Sequence, residues 1–125
     1  MNTVADLHQQ VRRQFPSIAG LADRFHEKRW EGMVDEVGEY AWFEALADAL
    51  NDEMRRQVPF DQHRAVFQML ARAYASGSDE VRGCIDVSFV ENLFWTVSSA
   101  KSLPYWERLP PALKQLYVDF HRREP

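Results

Sequence analysis

Apolar side chains recur every three or four residues along most of this chain, which is the spacing of one face of an α-helix. The clearest stretch runs from about residue 38 to 56, where the inward stripe consists of Phe43, Leu46, Leu50 and Met54, with Trp42 and Ala49 beside it. A second stretch, about 79–97, has two apolar stripes and is apolar on most of its circumference, which is typical of a central helix. The first stripe consists of Val81, Ile85, Phe89, Leu93 and Val97, and the second of Val87, Val90 and Phe94. No segment alternates convincingly enough to be a strand, although residues 85–90 are rich in β-branched side chains. The sequence therefore predicts an all-α fold, a single compact bundle of five to six helices over residues 1–125.

Capping and helix-breaking residues predict where these helices begin and end. Helix starts are indicated by Asn2 or Thr3, Pro16, Asp61, Ser78 and Pro110-Pro111, and Ser76-Gly77 indicates a helix end. Two segments are predicted to be connections. One is 30–38, which contains two glycines, and the other is 98–104, a Ser-containing link that ends at a proline.

Composition limits the class of protein. The chain has 125 residues, of which 46% are hydrophobic and 13% aromatic, so it can build a core. Its net charge of −4 makes it a poor candidate for binding nucleic acid, which needs clustered Lys and Arg. No apolar run approaches the roughly 18 residues of a membrane span, and no secretory signal is recognisable. With one cysteine, Cys84, a cytoplasmic location is expected.

Charge is distributed very unevenly along the sequence. Residues 31–54 contain eight acidic side chains and no Lys or Arg, whereas the rest of the chain, with all 15 Lys and Arg, is net +4. The acids are Glu31, Asp35, Glu36, Glu39, Glu44, Asp48, Asp52 and Glu53. Three of them, Glu44, Asp48 and Asp52, are four residues apart and so form one ridge of a helix, where like charges repel. We call these three residues the acidic ridge.

Two interpretations of the acidic ridge are open. In the first, arginines of neighbouring helices neutralise it; the candidates are Arg12, Arg13, Arg24, Arg29, Arg55 and Arg56. In the second, the ridge and the acids before it bind a basic partner, because complementary charge steers association and fixes orientation. Trp30 and Met33 would then supply the apolar anchor of the interface, since Trp is frequent among residues that dominate binding energy. The predicted partner-binding residues are Trp30, Glu31, Met33, Asp35, Glu36, Glu39, Glu44, Asp48 and Asp52.

No residue pattern predicts a catalytic centre, a metal site or a cofactor. The four histidines lie far apart in the sequence, and Cys84 lies in an apolar segment where a thiol is usually inert. Glu36 and Glu39 form an E-x-x-E pair, as in helical magnesium-dependent nucleotide pyrophosphohydrolases, but the later acids do not supply the second E-x-x-D element of those enzymes. Asp86, Glu91 and Asn92 interrupt the apolar segment, and Glu91 is expected to bond an arginine or a helix N-terminus.

One block of the sequence resembles a known group of proteins. Residues 75–81 read ASGSDEV and residues 85–93 read IDVSFVENL. This arrangement, a Ser-Gly-Asp turn followed by a helix with V-x-F-x-E-N-L, is similar to that of small uncharacterised bacterial helical proteins, which resemble immunity proteins of polymorphic toxin systems. The resemblance covers about residues 66–97 and implies a helical fold; it supplies no catalytic residues.

These observations predict a non-enzymatic binding protein, namely an immunity protein that neutralises a basic toxin domain through its acidic face. Two alternatives remain open at this stage. One is a divergent magnesium-dependent helical nucleotide pyrophosphohydrolase that uses Glu36 and Glu39. The other is a structural homodimer.

Overall fold

The computed structural model describes residues 2–33 and 37–125, and these residues form seven α-helices and no strand. The helices are α1 (Val4–Gln14), α2 (Pro16–Arg29), α3 (Glu39–Arg55), α4 (Arg64–Ser76), α5 (Asp79–Gly83), α6 (Ser99–Trp106) and α7 (Pro111–His121). A short 3-10 turn, Phe60–Gln62, precedes α4. A π-helical turn, Cys84–Phe89, and a 3-10 turn, Val90–Asn92, continue α5. The all-α prediction is confirmed. There are more helices than the five to six expected, because α6 was not foreseen.

Helix α3 lies at the centre of the hydrophobic core. The predicted stripe of Phe43, Leu46, Leu50 and Met54 is buried, and Trp42 and Ala49 are buried beside it. Because alanines occupy several of the remaining positions, neighbouring helices can approach α3 closely. Helix α2 packs along it, and α1, α6 and the π-helical turn also contact it.

Most predicted helix ends are confirmed by hydrogen bonds. The Thr3 hydroxyl accepts from the backbone N–H of Asp6 at 3.0 Å, and the Ser78 hydroxyl accepts from Val81 at 3.3 Å. Pro16 and Pro111 occupy the first turns of α2 and α7. Asp61 was wrongly predicted as the cap of α4: it lies in the 3-10 turn, where its carboxylate bonds Arg64 and Arg108 instead.

The segment predicted as one long helix over 79–97 is broken. After α5 the chain widens into the π-helical turn, which accommodates an additional residue per turn and shifts the side-chain register. Val87, expected on the second apolar stripe, is 55% exposed, whereas Ser88 and Phe89 are buried. Helix α6, capped by Ser98, occupies the predicted link at 98–104 and contains Pro104.

The partner expected for Glu91 is not found. Within residues 2–33 and 37–125 the Glu91 carboxylate makes no hydrogen bond or ion pair, and partial burial raises its pKa, with Asp86 adding repulsion. Asn92 instead has a structural role, because its side-chain amide donates to the carbonyl of Ser88 at 2.8 Å.

Helices α1, α2 and α3 are joined by one shared carboxylate. Asp23 of α2 accepts two hydrogen bonds from the Arg12 guanidinium of α1, at 2.7 and 2.9 Å, and one from the indole N–H of Trp42 of α3, at 2.8 Å. The ring of His8 lies 4.4 Å from that of Trp42 and covers it from the α1 side. Hydrogen bonding to Arg12 holds the pKa of Asp23 below its ordinary value, and the bond from Trp42 acts in the same direction.

The register shift in the π-helical turn gives a prediction about stability. Phe89→Ala should lower the free energy of unfolding by about 3–5 kcal/mol, because Phe89 is fully buried and its ring lies 6.2 Å from that of Phe67. Val87→Ala, two residues earlier, should change it by less than about 0.5 kcal/mol. Denaturant melts of both variants test this. Equal losses would show that Val87 is packed inside the protein.

The Asp23 cluster predicts a pH dependence. Since the pKa of Asp23 is lower in the folded than in the unfolded chain, the ionised carboxylate stabilises the fold above its unfolded pKa, near 3.8, and this stabilisation is lost as the pH falls. Because these groups are half-exposed, we expect this stabilisation of the fold to be about 1 kcal/mol at neutral pH. Urea melts should show that Asp23→Asn is less stable than wild type at about pH 6 and that the gap narrows by about pH 3. An unchanged gap would contradict the role given to the carboxylate charge.

Candidate functional site

The acidic ridge lies on α3, where α2 packs beside it. Arg29, the last residue of α2, bonds Glu44 at 2.9 Å and Asp48 at 2.7 Å. The side chain of Asp48 is only 18% exposed, and burial raises its pKa despite the opposing pull of Arg29. Two adjacent carboxylates therefore share one guanidinium, and this part of the ridge retains a net charge of about −1.

The other end of the ridge is also paired. Asp52 lies 3.7 Å from Arg55, one helical turn further along α3. The next acid, Glu53, is buried and bonds His63 at 3.0 Å and Arg56 at 3.4 Å, so it joins the end of α3 to the residue before α4. Of the six arginines considered as counter-ions, Arg29, Arg55 and Arg56 pair with acids of this segment, whereas Arg12 pairs with Asp23.

The acids before the ridge have a different environment. Glu31 and Glu39 are exposed, and within residues 2–33 and 37–125 neither forms an ion pair. Met33 and Tyr40, beside them in the sequence, are 48% and 44% exposed, so large apolar surface accompanies the free carboxylates. Asp35 and Glu36 lie outside the described residues. The geometry of the Glu36–Glu39 pair is therefore not described. We call Glu31, Met33, Glu39 and Tyr40, which lie on either side of residues 34–36 in the sequence, the connection patch.

Trp30 differs from a typical interface anchor. It is the C-cap of α2, where its backbone N–H donates to the carbonyl of His26 at 3.0 Å, and its side chain is half-buried. The indole nitrogen is buried and has no hydrogen-bond partner in the part of the chain that the structure describes.

An exposed tryptophan that the sequence analysis did not select lies at the far end of the ridge. Trp95 is 66% exposed and belongs to the segment between the 3-10 turn and α6. Arg55, which pairs with Asp52, also donates to the carbonyls of Trp95 and Thr96 and to the Thr96 hydroxyl, at 3.1, 3.3 and 2.7 Å. One available signal was that Trp95 falls on neither apolar stripe of its segment.

A cavity of about 430 Å³ lies between the start of α2 and the end of α3, and buried Glu53 and His63 form part of its wall. Their mutual bond explains their burial. Within residues 2–33 and 37–125, no cluster of three or more His, Cys, Asp or Glu side chains has a metal-binding arrangement. The Cys84 thiol is buried, which raises its pKa to about 12 and keeps it protonated. None of the described helices has the length and apolar character needed to cross a membrane.

A comparison with known protein families identifies the family of this chain. The model of a family defined by a domain of unknown function, DUF7674, matches residues 8–123. The chain belongs to this family. The DUF7674 match begins within α1 and ends just after α7, so it includes the acidic ridge, the connection patch and Trp95. No curated protein and no solved structure matches the chain.

Charge reversal at Glu44 and Asp48 of the acidic ridge should affect stability differently from charge reversal at Glu31 and Glu39 of the connection patch. Glu44→Lys with Asp48→Lys would place two ammonium groups against Arg29, one of them in a largely buried position, and should lower the free energy of unfolding by about 2 kcal/mol or more. Glu31→Lys with Glu39→Lys changes the net charge equally. It should cost less than about 1 kcal/mol, mainly because an acid in the first turn of α3 is favoured by the helix dipole.

Thermal melts of the two double variants in the same buffer test this assignment. Equal melting temperatures would show that Arg29 contributes nothing through its pairing with Glu44 and Asp48.

Proposed function

We propose that the protein is a non-enzymatic binding protein that docks a basic protein partner on the acidic segment 31–54. The observation that carries this proposal is the segregation of charge: eight acids and no Lys or Arg lie within this segment, while the rest of the chain is net positive. Like charges at neighbouring helical positions weaken a helix, so folding alone does not favour such a concentration. A basic partner would gain from it.

The exposed part of this segment supports a specific contact region. The connection patch combines free carboxylates, Glu31 and Glu39, with exposed Met33 and Tyr40. Interfaces of this kind need apolar contact for affinity and charge for orientation and rate. The acidic ridge contributes less field than its three carboxylates suggest, because Arg29 and Arg55 pair with it.

We propose further that the partner is a toxin domain and that the protein acts as an immunity protein in the bacterial cytoplasm. A toxin that acts on a polyanion or another acidic substrate has a basic active surface, and an acidic protein bound there blocks substrate access by occlusion. This mode of inhibition needs no cofactor and no reaction by the inhibitor. It needs a rigid surface, which the packing of α2 against buried α3 supports.

The double variants described above also test this function. The products of the neighbouring genes are the candidate partners, and each is titrated into the wild type, Glu31→Lys/Glu39→Lys and Glu44→Lys/Asp48→Lys, with the association rate measured at low and high salt. The connection-patch variant should associate at least tenfold more slowly while remaining folded, because steering charge has been reversed. For the wild type, the rate should fall steeply with salt, since exposed charges are screened over about 8–10 Å at physiological ionic strength.

A wild-type protein that binds no basic domain among these gene products would overturn the proposal. So would binding that is insensitive both to salt and to reversal at the connection patch. A rise in melting temperature with magnesium, absent in Glu39→Gln, would favour the pyrophosphohydrolase alternative.

A further inference from the structure

Trp95 occupies an unusual stretch of backbone. Phe94 and Thr96, on either side of it, have φ angles of 67° and 54°, in the left-handed region that favours glycine. For a β-branched residue such as Thr96 this conformation is rare and costly. Successive tight turns close the segment: Trp95 N–H donates to the carbonyl of Asn92 and Val97 N–H to that of Phe94. Strained backbone of this kind persists only where its surroundings fix it.

Two side chains of α3 provide that support. Asn51, which is fully buried, donates to the carbonyl of Asn92 at 2.9 Å and accepts from the N–H of Phe94 at 2.7 Å. Arg55 donates to the backbone carbonyls of Trp95 and Thr96 and to the Thr96 hydroxyl. All of these bonds hold the segment through residues 92, 94, 95 and 96, and none involves the indole.

The indole itself remains available. Trp95 is the most exposed of the large apolar side chains in the described residues, and within them its ring makes no hydrogen bond or aromatic pair. Because the backbone of Trp95 is already held, binding would order only the two side-chain torsions of the indole, and tryptophan is frequent among interface anchors.

The position of Trp95 identifies the kind of partner it suits. Arg55 contacts both Asp52 and the backbone of the Trp95 segment, so this segment adjoins the acidic ridge at its C-terminal end. At the other end of α3, Tyr40 lies on the same four-residue spacing as Glu44, Asp48 and Asp52. The ridge therefore lies between Tyr40 and the Trp95 segment. Its three carboxylates, paired with Arg29 and Arg55, retain a net charge of about −1, which suits a pocket with cationic side chains around it.

We propose that Trp95, rather than Trp30, is the anchor that inserts into an apolar pocket of the basic partner. This inference rests on the proposed function, because it names a second contact for the same partner. Asn51 and Arg55 are positioning residues: they hold the segment that presents the indole and do not themselves enter the pocket.

The experiment uses Trp95→Ser and, as a matched control, Leu103→Ser, which removes a side chain that is 51% exposed on α6. Affinity for the neighbouring gene product that the wild type binds is measured by calorimetry, and each variant is melted thermally. Trp95→Ser should weaken binding about 30-fold or more, as expected for a central tryptophan anchor, with an unchanged melting temperature. Leu103→Ser should bind like wild type.

A third variant tests the support independently of the indole. Asn51→Asp keeps the size of the side chain but replaces the amide donor to the Asn92 carbonyl with an acceptor. Trp95 would then be less firmly held, so the affinity should fall while collisional quenching of tryptophan fluorescence in the free protein increases. Unchanged affinity in Asn51→Asp at a temperature where it is folded would contradict the positioning role.

The two proposals fail in different ways. If Trp95→Ser binds like wild type while Glu31→Lys/Glu39→Lys is impaired, the anchor is overturned and the proposed function stands. If Leu103→Ser weakens binding as much as Trp95→Ser, the effect is not specific to the anchor, and the inference is also wrong. If the wild type does not bind the toxin domain, the proposed function falls and the anchor falls with it.

Discussion

Burial of α3 is the constraint on which the rest of the structure depends. Its apolar face is so wide that helices must cover it from several sides, and only the strip that carries the acidic ridge remains near solvent. Helix α2 borders that strip, which brings carboxylates into contact with a helix packed on the core. The arrangement is stable because Arg29 bonds Glu44 and Asp48 together. Removing charges from water without such a partner would cost several kcal/mol. The end of α2 is thus fixed by electrostatics as well as by packing.

This internal pairing changes how the acidic segment is interpreted. In the sequence, Glu44, Asp48 and Asp52 are the most regular feature of the segment and attract the functional hypothesis. In the structure, two arginines share these three carboxylates, so their role is largely to hold α2 and the Trp95 segment on α3. Glu31 and Glu39, earlier in the chain, are exposed and form no ion pair within residues 2–33 and 37–125. The internal interpretation therefore applies to the acidic ridge, and the proposed partner contact is placed at Glu31 and Glu39.

The parts of the fold that depend on local rules were predictable. Thr3, Ser78 and Pro111 mark helix starts through capping and backbone geometry, and the stripe of α3 follows from its period. The segment after Gly83 was not predictable from local rules. The left-handed residues around Trp95 are held by distant contacts, above all by Asn51, more than 40 residues away. A polar residue on the inward face of α3 did carry a signal, since a buried amide needs hydrogen-bond partners. The sequence alone could not identify those partners.

The same dependence on α3 determines what kind of binding surface the protein can offer. Tyr40 and Asp52 lie a little more than three helical turns apart, which is about 18 Å along α3. A surface of this length fits within one side of a standard interface of roughly 800 Å². Trp95 extends this surface, and its backbone is held by the fully buried Asn51, so it cannot move without disturbing the core. The backbone of such a surface loses its conformational entropy during folding rather than on binding. A partner would therefore meet a preorganised site, and differences in affinity among variants would arise from contact with the indole, while the free carboxylates would control the rate of encounter.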